Sequence, residues 1–101
     1  NFNYIMKILV YFKNIAIEKE AIPIVVIMGN SNSFNDRNSI LKPWKEFKDG
    51  LSDIGIKYID TSDSLYYHYK KNPSLVINDF GTHYTHFSND IVAEIINQNI
   101  E

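Results

Sequence analysis

The residues best suited to chemistry lie near the C-terminus, in the stretch DFGTHYTHFSNDIVAE that begins with Asp79. Asp79 precedes two histidines, His83 and His86. An imidazole has an unperturbed pKa of about 6.5, so His83 can accept and return a proton near neutral pH. A carboxylate bonded to the other ring nitrogen fixes the tautomer and stabilises the imidazolium. Asp79 and His83 therefore suit a general base and the group that orients it.

Two other interpretations of these residues remain open. In the first, His83 is a polar side chain bonded to backbone and Asp79 caps a turn, and spacing alone favours this structural role. In the second, Asp79, His83 and His86, together with His68, bind zinc or iron. Two histidines three residues apart lack the i, i+4 spacing that stacks ligands on one helix turn, and no further ligand is apparent. We therefore expect no metal and no cofactor, and we expect His86 to be a surface residue.

Composition limits the classes of protein that the chain can belong to. Its 101 residues suit one domain, and a hydrophobic content of 45% is that of a chain that folds. The net charge is −2 and no basic patch is visible, which argues against nucleic-acid binding. The longest apolar run, Ile22–Met28, is too short to span a membrane. The absence of cysteine excludes disulfides and thiolate sites but leaves the compartment open.

Hydrophobic periodicity predicts the elements that must position these residues. An amphipathic helix is predicted over residues 2–19, and the β-branched apolar run at residues 24–28 predicts a strand. The stretch IKYID at residues 56–60 predicts a second strand, which ends in an acid. The first strand is apolar on both faces, which is typical of a buried parallel strand. The helix rests on apolar residues spaced by three and four positions: Ile5, Ile8, Leu9, Phe12, Ile15 and Ala16.

The segments between and after these strands are more polar. Gly29–Ser39 is predicted to be an Asn/Ser-rich loop without a phosphate-binding glycine pattern. A helix follows, with Pro43 in its first turn and Gly55 at its C-terminal cap. A short helix and loop are expected after Asp60, and the last helix is expected to end near residue 99. Alternating helices and strands predict a parallel sheet, at whose carboxyl edge functional residues gather.

The C-terminal stretch resembles the final sequence block of the SGNH (GDSL) hydrolase family. That block has an acid, a short gap, a histidine and a helix with an alanine ten residues further on, here Asp79, His83 and Ala93. The letters HYT are similar to those of polysaccharide O-acetyltransferase relatives. The gap is three residues instead of one or two, and Ser88 stands where the family commonly has glycine.

This resemblance implies both a fold and a position within it. The fold is an α/β, partial flavodoxin-like three-layer sandwich with parallel strands. Residues 1–101 would be a single α/β domain or the C-terminal fragment of a larger SGNH hydrolase domain. The family carries its nucleophilic serine in a Gly-Asp-Ser motif in the N-terminal half, and the sequence has no such motif.

The resemblance therefore implies a divided function. The chain would supply His83 and Asp79 to a serine ester hydrolase or acyl (acetyl) transferase, and would be inactive when isolated. The parent protein would act on an acyl ester or an acetylated carbohydrate. The alternative is a small non-catalytic α/β interaction module. Because two parallel strands leave their edges unpaired, we also expect a homo-oligomer or pairing with the missing N-terminal half.

Overall fold

The computed structural model describes residues 2–78 and 83–100 and places six helices and two strands within them. The elements, in chain order, are α1 (Phe2–Glu18), β1 (Ile24–Ile27), α2 (Ser31–Asn35), α3 (Arg37–Asp53), β2 (Lys57–Asp60), α4 (Ser62–Lys71), α5 (Pro73–Val76) and α6 (His86–Asn99).

The first and last predicted helices are confirmed. Apolar residues at helical spacing form α1, and the chain leaves it through Glu20, whose φ of 59° is left-handed. The amide of Ala21 donates to the carbonyl of Ala16 across this turn, at 2.8 Å. No residue of α1 is buried. The helix thus packs against the rest of the molecule along one side without being enclosed by it.

The two predicted strands are also confirmed, and they pair in parallel through the α3 crossover. The register runs from Ile24 opposite Lys57 to Ile27 opposite Asp60. Just beyond this ladder the Thr61 amide donates to the Ile27 carbonyl at 3.0 Å, so the polar backbone groups of Ile27 face β2. Because alternate residues of a strand direct these groups to opposite edges, those of Val26 face away from β2.

The predicted three-layer flavodoxin-like sandwich is wrong. Helices hold 71% of the described residues, and the sheet that these residues form has only two strands. The apolar residues Leu75–Ile77 do not form a third strand. Pro73 starts the short helix α5, which includes Leu75 and Val76, and Ile77 forms a single bridge to Tyr84. The chain is therefore a mostly helical small domain.

The polar segment predicted as a loop is largely helical as well. The side chain of Asn30 accepts from the Ser33 amide at 2.9 Å, and the Ser33 hydroxyl accepts from the Asn30 amide at 2.8 Å. This reciprocal capping box starts α2 directly after β1. The next helix, α3, already begins at Arg37, so Pro43 lies inside it and not in its first turn.

The predicted glycine cap at Gly55 is confirmed. Its φ of 77° is left-handed, which glycine adopts without the steric cost of a Cβ. The Gly55 amide donates to Ser52 at 3.1 Å and the Ile56 amide donates to Leu51 at 2.9 Å. These two bonds form a Schellman motif, which satisfies the last carbonyls of α3 and turns the chain into β2.

The buried side chains form two clusters on different elements. The smaller one joins the sheet to α3 and consists of Ile27, Leu51 and Ile56. The larger one joins α2, α4, α5 and α6 and consists of Phe34, Leu65, Val76, Ile77 and Val92. Within the described residues, no helix combines the length and apolar character that crossing a membrane requires.

Candidate functional site

Three segments meet at the carboxyl edge of the sheet. The Thr61 hydroxyl, after β2, donates to the Ile27 carbonyl in β1 at 2.9 Å. The Tyr84 hydroxyl, from the segment that precedes α6, donates to the carbonyl of Gly29 just after β1. The two bonds bring together the chain after β1, the chain after β2 and the approach to α6. This is the edge at which parallel sheets place functional residues.

His83 lies in the last of these segments, and its backbone is held on its C-terminal side. The Asn78 amide donates to the His83 carbonyl at 3.0 Å, and the next residue, Tyr84, forms the antiparallel bridge to Ile77. Thr85 caps α6 by accepting from the Ser88 amide at 3.2 Å. The His83 side chain is exposed. A fixed backbone thus presents an imidazole to solvent at the rim of the sheet.

The other residues of the predicted catalytic and metal sites are Asp79, His86 and His68. Asp79 lies outside the described residues. His86 is the exposed first residue of α6, and the His68 ring packs edge-on against Phe87 with centroids 5.0 Å apart. Among the residues that the structure describes, no group of three or more metal-ligating side chains comes together.

Tyr84 and Gly29 form a close junction that sequence reasoning missed. Burial raises the pKa of the Tyr84 hydroxyl, which keeps it neutral and able to donate to the Gly29 carbonyl. A Cβ added at Gly29 would overlap the Phe34 ring, whose Cζ would lie only 2.6 Å away. Gly29, which the sequence indicated only as the first residue of a loop, is therefore needed for close packing. Tyr84, which directly follows His83, was the sequence feature that could have indicated this contact.

Asp60 is the most strongly held carboxylate at this edge. Its Oδ1 accepts from the Ser62 amide at 2.8 Å and from the Ser62 hydroxyl at 2.6 Å, and its Oδ2 pairs with Lys48. Burial alone would raise the pKa of Asp60, but the hydrogen bonds from Lys48 and Ser62 outweigh it and lower that pKa. Asp60 is therefore ionised at neutral pH and occupied by structural partners. The Asp-Thr-Ser spacing was a signal for the Ser62 contact, whereas Lys48 is distant in sequence.

The serine hydroxyls near the same edge are likewise occupied. The Ser33 hydroxyl donates to the Asn30 carbonyl at 2.9 Å, and the Ser62 hydroxyl donates to Asp60. The hydroxyl of Ser88 is buried and donates to the Val76 carbonyl at 2.7 Å. Each of these three groups caps or ties a helix, so none is presented to His83 as a nucleophile.

Comparison with known proteins identifies no relative, because no protein-family model, no curated protein and no solved structure matches the chain.

Proposed function

We propose that the chain supplies a general base, His83, to a serine ester hydrolase or acyltransferase whose nucleophile lies outside these 101 residues. The observation that carries the proposal is the position of His83. Its ring is exposed at the carboxyl edge of a parallel sheet, on a segment tied to the sheet by the Tyr84 hydroxyl. The D-x-x-x-H-Y-T pattern of Asp79–Thr85 adds the resemblance to SGNH enzymes, without the family's sandwich fold.

The proposed chemistry is that of a serine esterase. His83 would take the proton of a serine hydroxyl as that hydroxyl attacks an acyl carbonyl, and would return the proton to the leaving alcohol. Asp79 would orient the ring and stabilise its charged form. Exposure suits this role, because a base that serves a nucleophile from another segment must be reachable from outside the chain. The substrates would be acyl esters, with acetylated carbohydrates the favoured class.

The test begins with the coding sequence upstream of Asn1. If an uninterrupted reading frame there encodes a Gly-Asp-Ser motif, the extended protein should hydrolyse p-nitrophenyl acetate. The variant His83→Ala should lose at least about a thousandfold in kcat/KM, as members of catalytic triads do. The matched control is His86→Ala, which removes a second exposed histidine three residues away and should retain activity.

Two results would contradict the proposal. One is full activity of the extended protein when it carries the substitution His83→Ala. The other is an extended protein in which His86→Ala alone abolishes hydrolysis, since this would place the base at the other histidine.

A second candidate function, a non-catalytic interaction module, is favoured by a different observation. The helix α1 is strongly apolar and none of its residues is buried. A helix of this kind requires a partner surface to remove its apolar side chains from water. If the upstream sequence holds no nucleophile motif, this module becomes the better account of the chain.

A further inference from the structure

One side of α1 carries a continuous row of exposed apolar side chains. We refer to these residues as the α1 stripe: Tyr4, Ile5, Ile8, Tyr11 and Phe12. Residues three, four and seven apart lie on one helix face, so the five side chains form a single band. The most exposed of them is Tyr11, at 70%. The band contains no charged residue.

Another side of α1 contacts α3 and the turn that follows it. The Lys13 ammonium donates to the Ile54 carbonyl at 2.7 Å, which anchors the helix at the end of α3. Phe2 and Met6 pack against Gly50, where an added Cβ would lie only 2.8 Å from the Phe2 ring. These contacts fix the rotation of α1 about its axis. The α1 stripe therefore faces outward, and α1 cannot rotate to bury it without breaking these contacts.

The stripe continues into an apolar groove beside β1. The groove has a volume of about 560 Å³ and lies between α1, β1 and α3. Ile5 belongs to the stripe and also lines the groove, where it is joined by Phe2 and by the exposed side chain of Met28. The lining of the groove also includes Glu46. Apart from this carboxylate, stripe and groove form one apolar surface that the chain itself does not cover.

We propose that this surface is the interface of a symmetric dimer, covered by the same surface of a second copy of the chain. A two-fold interface must be complementary to itself, and a band without charges meets that condition because it places no like charges opposite each other. In this arrangement the two α1 helices cross near Ile8, the middle of the stripe. The inference is independent of the role proposed for His83.

The available area matches what such a dimer needs. Buried aromatic side chains contribute about 150–250 Å² each. From their exposed fractions, the stripe together with Phe2 and Met28 offers on the order of 800 Å², the size of half a standard interface of about 1,600 Å². An apolar surface of this extent is more than a monomer typically leaves in water.

The first experiment compares two charge substitutions on the same helix. Ile8 and Ile17 are 54% and 56% exposed, and nine residues, or about two and a half turns, put them on opposite faces of α1. By sedimentation velocity, the wild-type chain at micromolar concentration should have twice its monomer mass of 11.8 kDa. Ile8→Glu should weaken the dimer by on the order of a hundredfold or more, because two unpaired carboxylates meet at its centre. Ile17→Glu should leave it intact.

The second experiment does not depend on how well the charged variants fold. Since the chain has no cysteine, a single cysteine can be introduced without competing thiols. Ile8→Cys should be captured as a covalent dimer by a short bismaleimide, and Ile17→Cys should not. Circular dichroism of each variant checks that α1 is retained.

The proposal is overturned by a wild-type chain that sediments as a monomer over the same concentration range, which would assign the surface to a different occupant. It is equally overturned by a dimer that Ile8→Glu leaves intact or that crosslinks only through Ile17→Cys. A dimer lost in both glutamate variants, each still folded, would place the interface elsewhere on α1.

Discussion

The carboxylate of Asp60 ends β2 and is held by donors from two elements. Ser62 donates twice from the start of α4, and Lys48 reaches across from α3. Because these contacts lower the pKa of Asp60 below its usual value of 3.8, the ionised form is favoured by folding. A lowered carboxyl pKa stabilises the folded chain above the unfolded pKa. That stability is lost as the pH falls through the folded pKa.

We expect Asp60→Asn to be less stable than the wild type by about 1–3 kcal/mol at pH 7, since hydrogen bonds to a charged group are lost. The difference should shrink as the pH is lowered below about 4, where the unfolded carboxyl becomes protonated. Urea unfolding at pH 7, 5 and 3 measures both effects. The control is Asp49→Asn, which breaks the exposed Lys45–Asp49 pair and should leave the pH dependence unchanged. Equal pH dependence in wild type and Asp60→Asn would refute the assignment.

At the residue scale, the sequence predicted correctly those features that depend only on neighbouring residues. Gly55 was identifiable as a helix cap because only the nearby pattern matters for that position. The partners of Asp60 were not identifiable, because Lys48 lies twelve residues before it and reaches it only through the packing of α3 on the sheet. The candidate base His83 remains a prediction, and its orienting acid Asp79 lies outside the described residues.

At the scale of elements, α3 and β2 depend on one tight connection. The Schellman motif places Ile56 beside Leu51, and both side chains are buried in the same cluster. The left-handed conformation of Gly55 also positions the Ile54 carbonyl, which Lys13 of α1 binds. One glycine therefore joins the end of α3, the start of β2 and the anchoring of α1.

Gly55→Ala should destabilise the chain by about 1–2 kcal/mol, because an L residue at φ of 77° brings its Cβ too close to backbone. The added Cβ would also lie 2.9 Å from the Lys13 ammonium and press against its bond to Ile54. Thermal unfolding followed by circular dichroism measures the loss. Gly55→Asn is the matched variant, since asparagine tolerates the left-handed region and should cost less. A fully stable Gly55→Ala would show that the turn adopts another conformation.

The predicted helices and strands were mostly correct where the hydrophobic pattern was long. Residues 2–19 carry a clear helical period and form α1. The β-branched run at residues 24–28 and the stretch IKYID at residues 56–60 contain β1 and β2. The loop prediction for Gly29–Ser39 was wrong because asparagine and serine favour both loops and helix caps. Here Asn30 and Ser33 cap each other and start α2. The predicted start of α3 was wrong because Pro43 was placed in the first turn. Proline is preferred in a first turn but is not confined to it.

At the scale of the whole molecule, the sequence predicted parallel pairing but not the number of layers. A flavodoxin-like sandwich needs more strands than two, and the described residues form only β1 and β2. The larger hydrophobic cluster lies among four helices, away from the smaller one at the sheet. Which helices would pack together depends on contacts between residues far apart in sequence, which periodicity does not reveal.

The shortness of β1 bears on whether the chain forms amyloid fibres. Pro23 has no amide hydrogen with which to extend the ladder backward, and the helix cap at Asn30 ends the strand on the other side. Amyloid-forming segments are about six or seven residues of high β propensity without proline. The run Ile22–Met28 meets that description except for Pro23.

We therefore expect the wild-type chain to resist amyloid formation and Pro23→Val to promote it, because the substitution creates an uninterrupted seven-residue β-prone segment. Thioflavin fluorescence during prolonged incubation measures the lag time. Pro23→Gly removes the same ring without adding β propensity, so it should behave like the wild type. If Pro23→Val formed fibres no faster than the wild type, proline would not be what prevents them. Fibres from both variants would show that loss of the proline ring alone is enough. On this account a single imino acid keeps an otherwise amyloidogenic stretch confined to a four-residue strand.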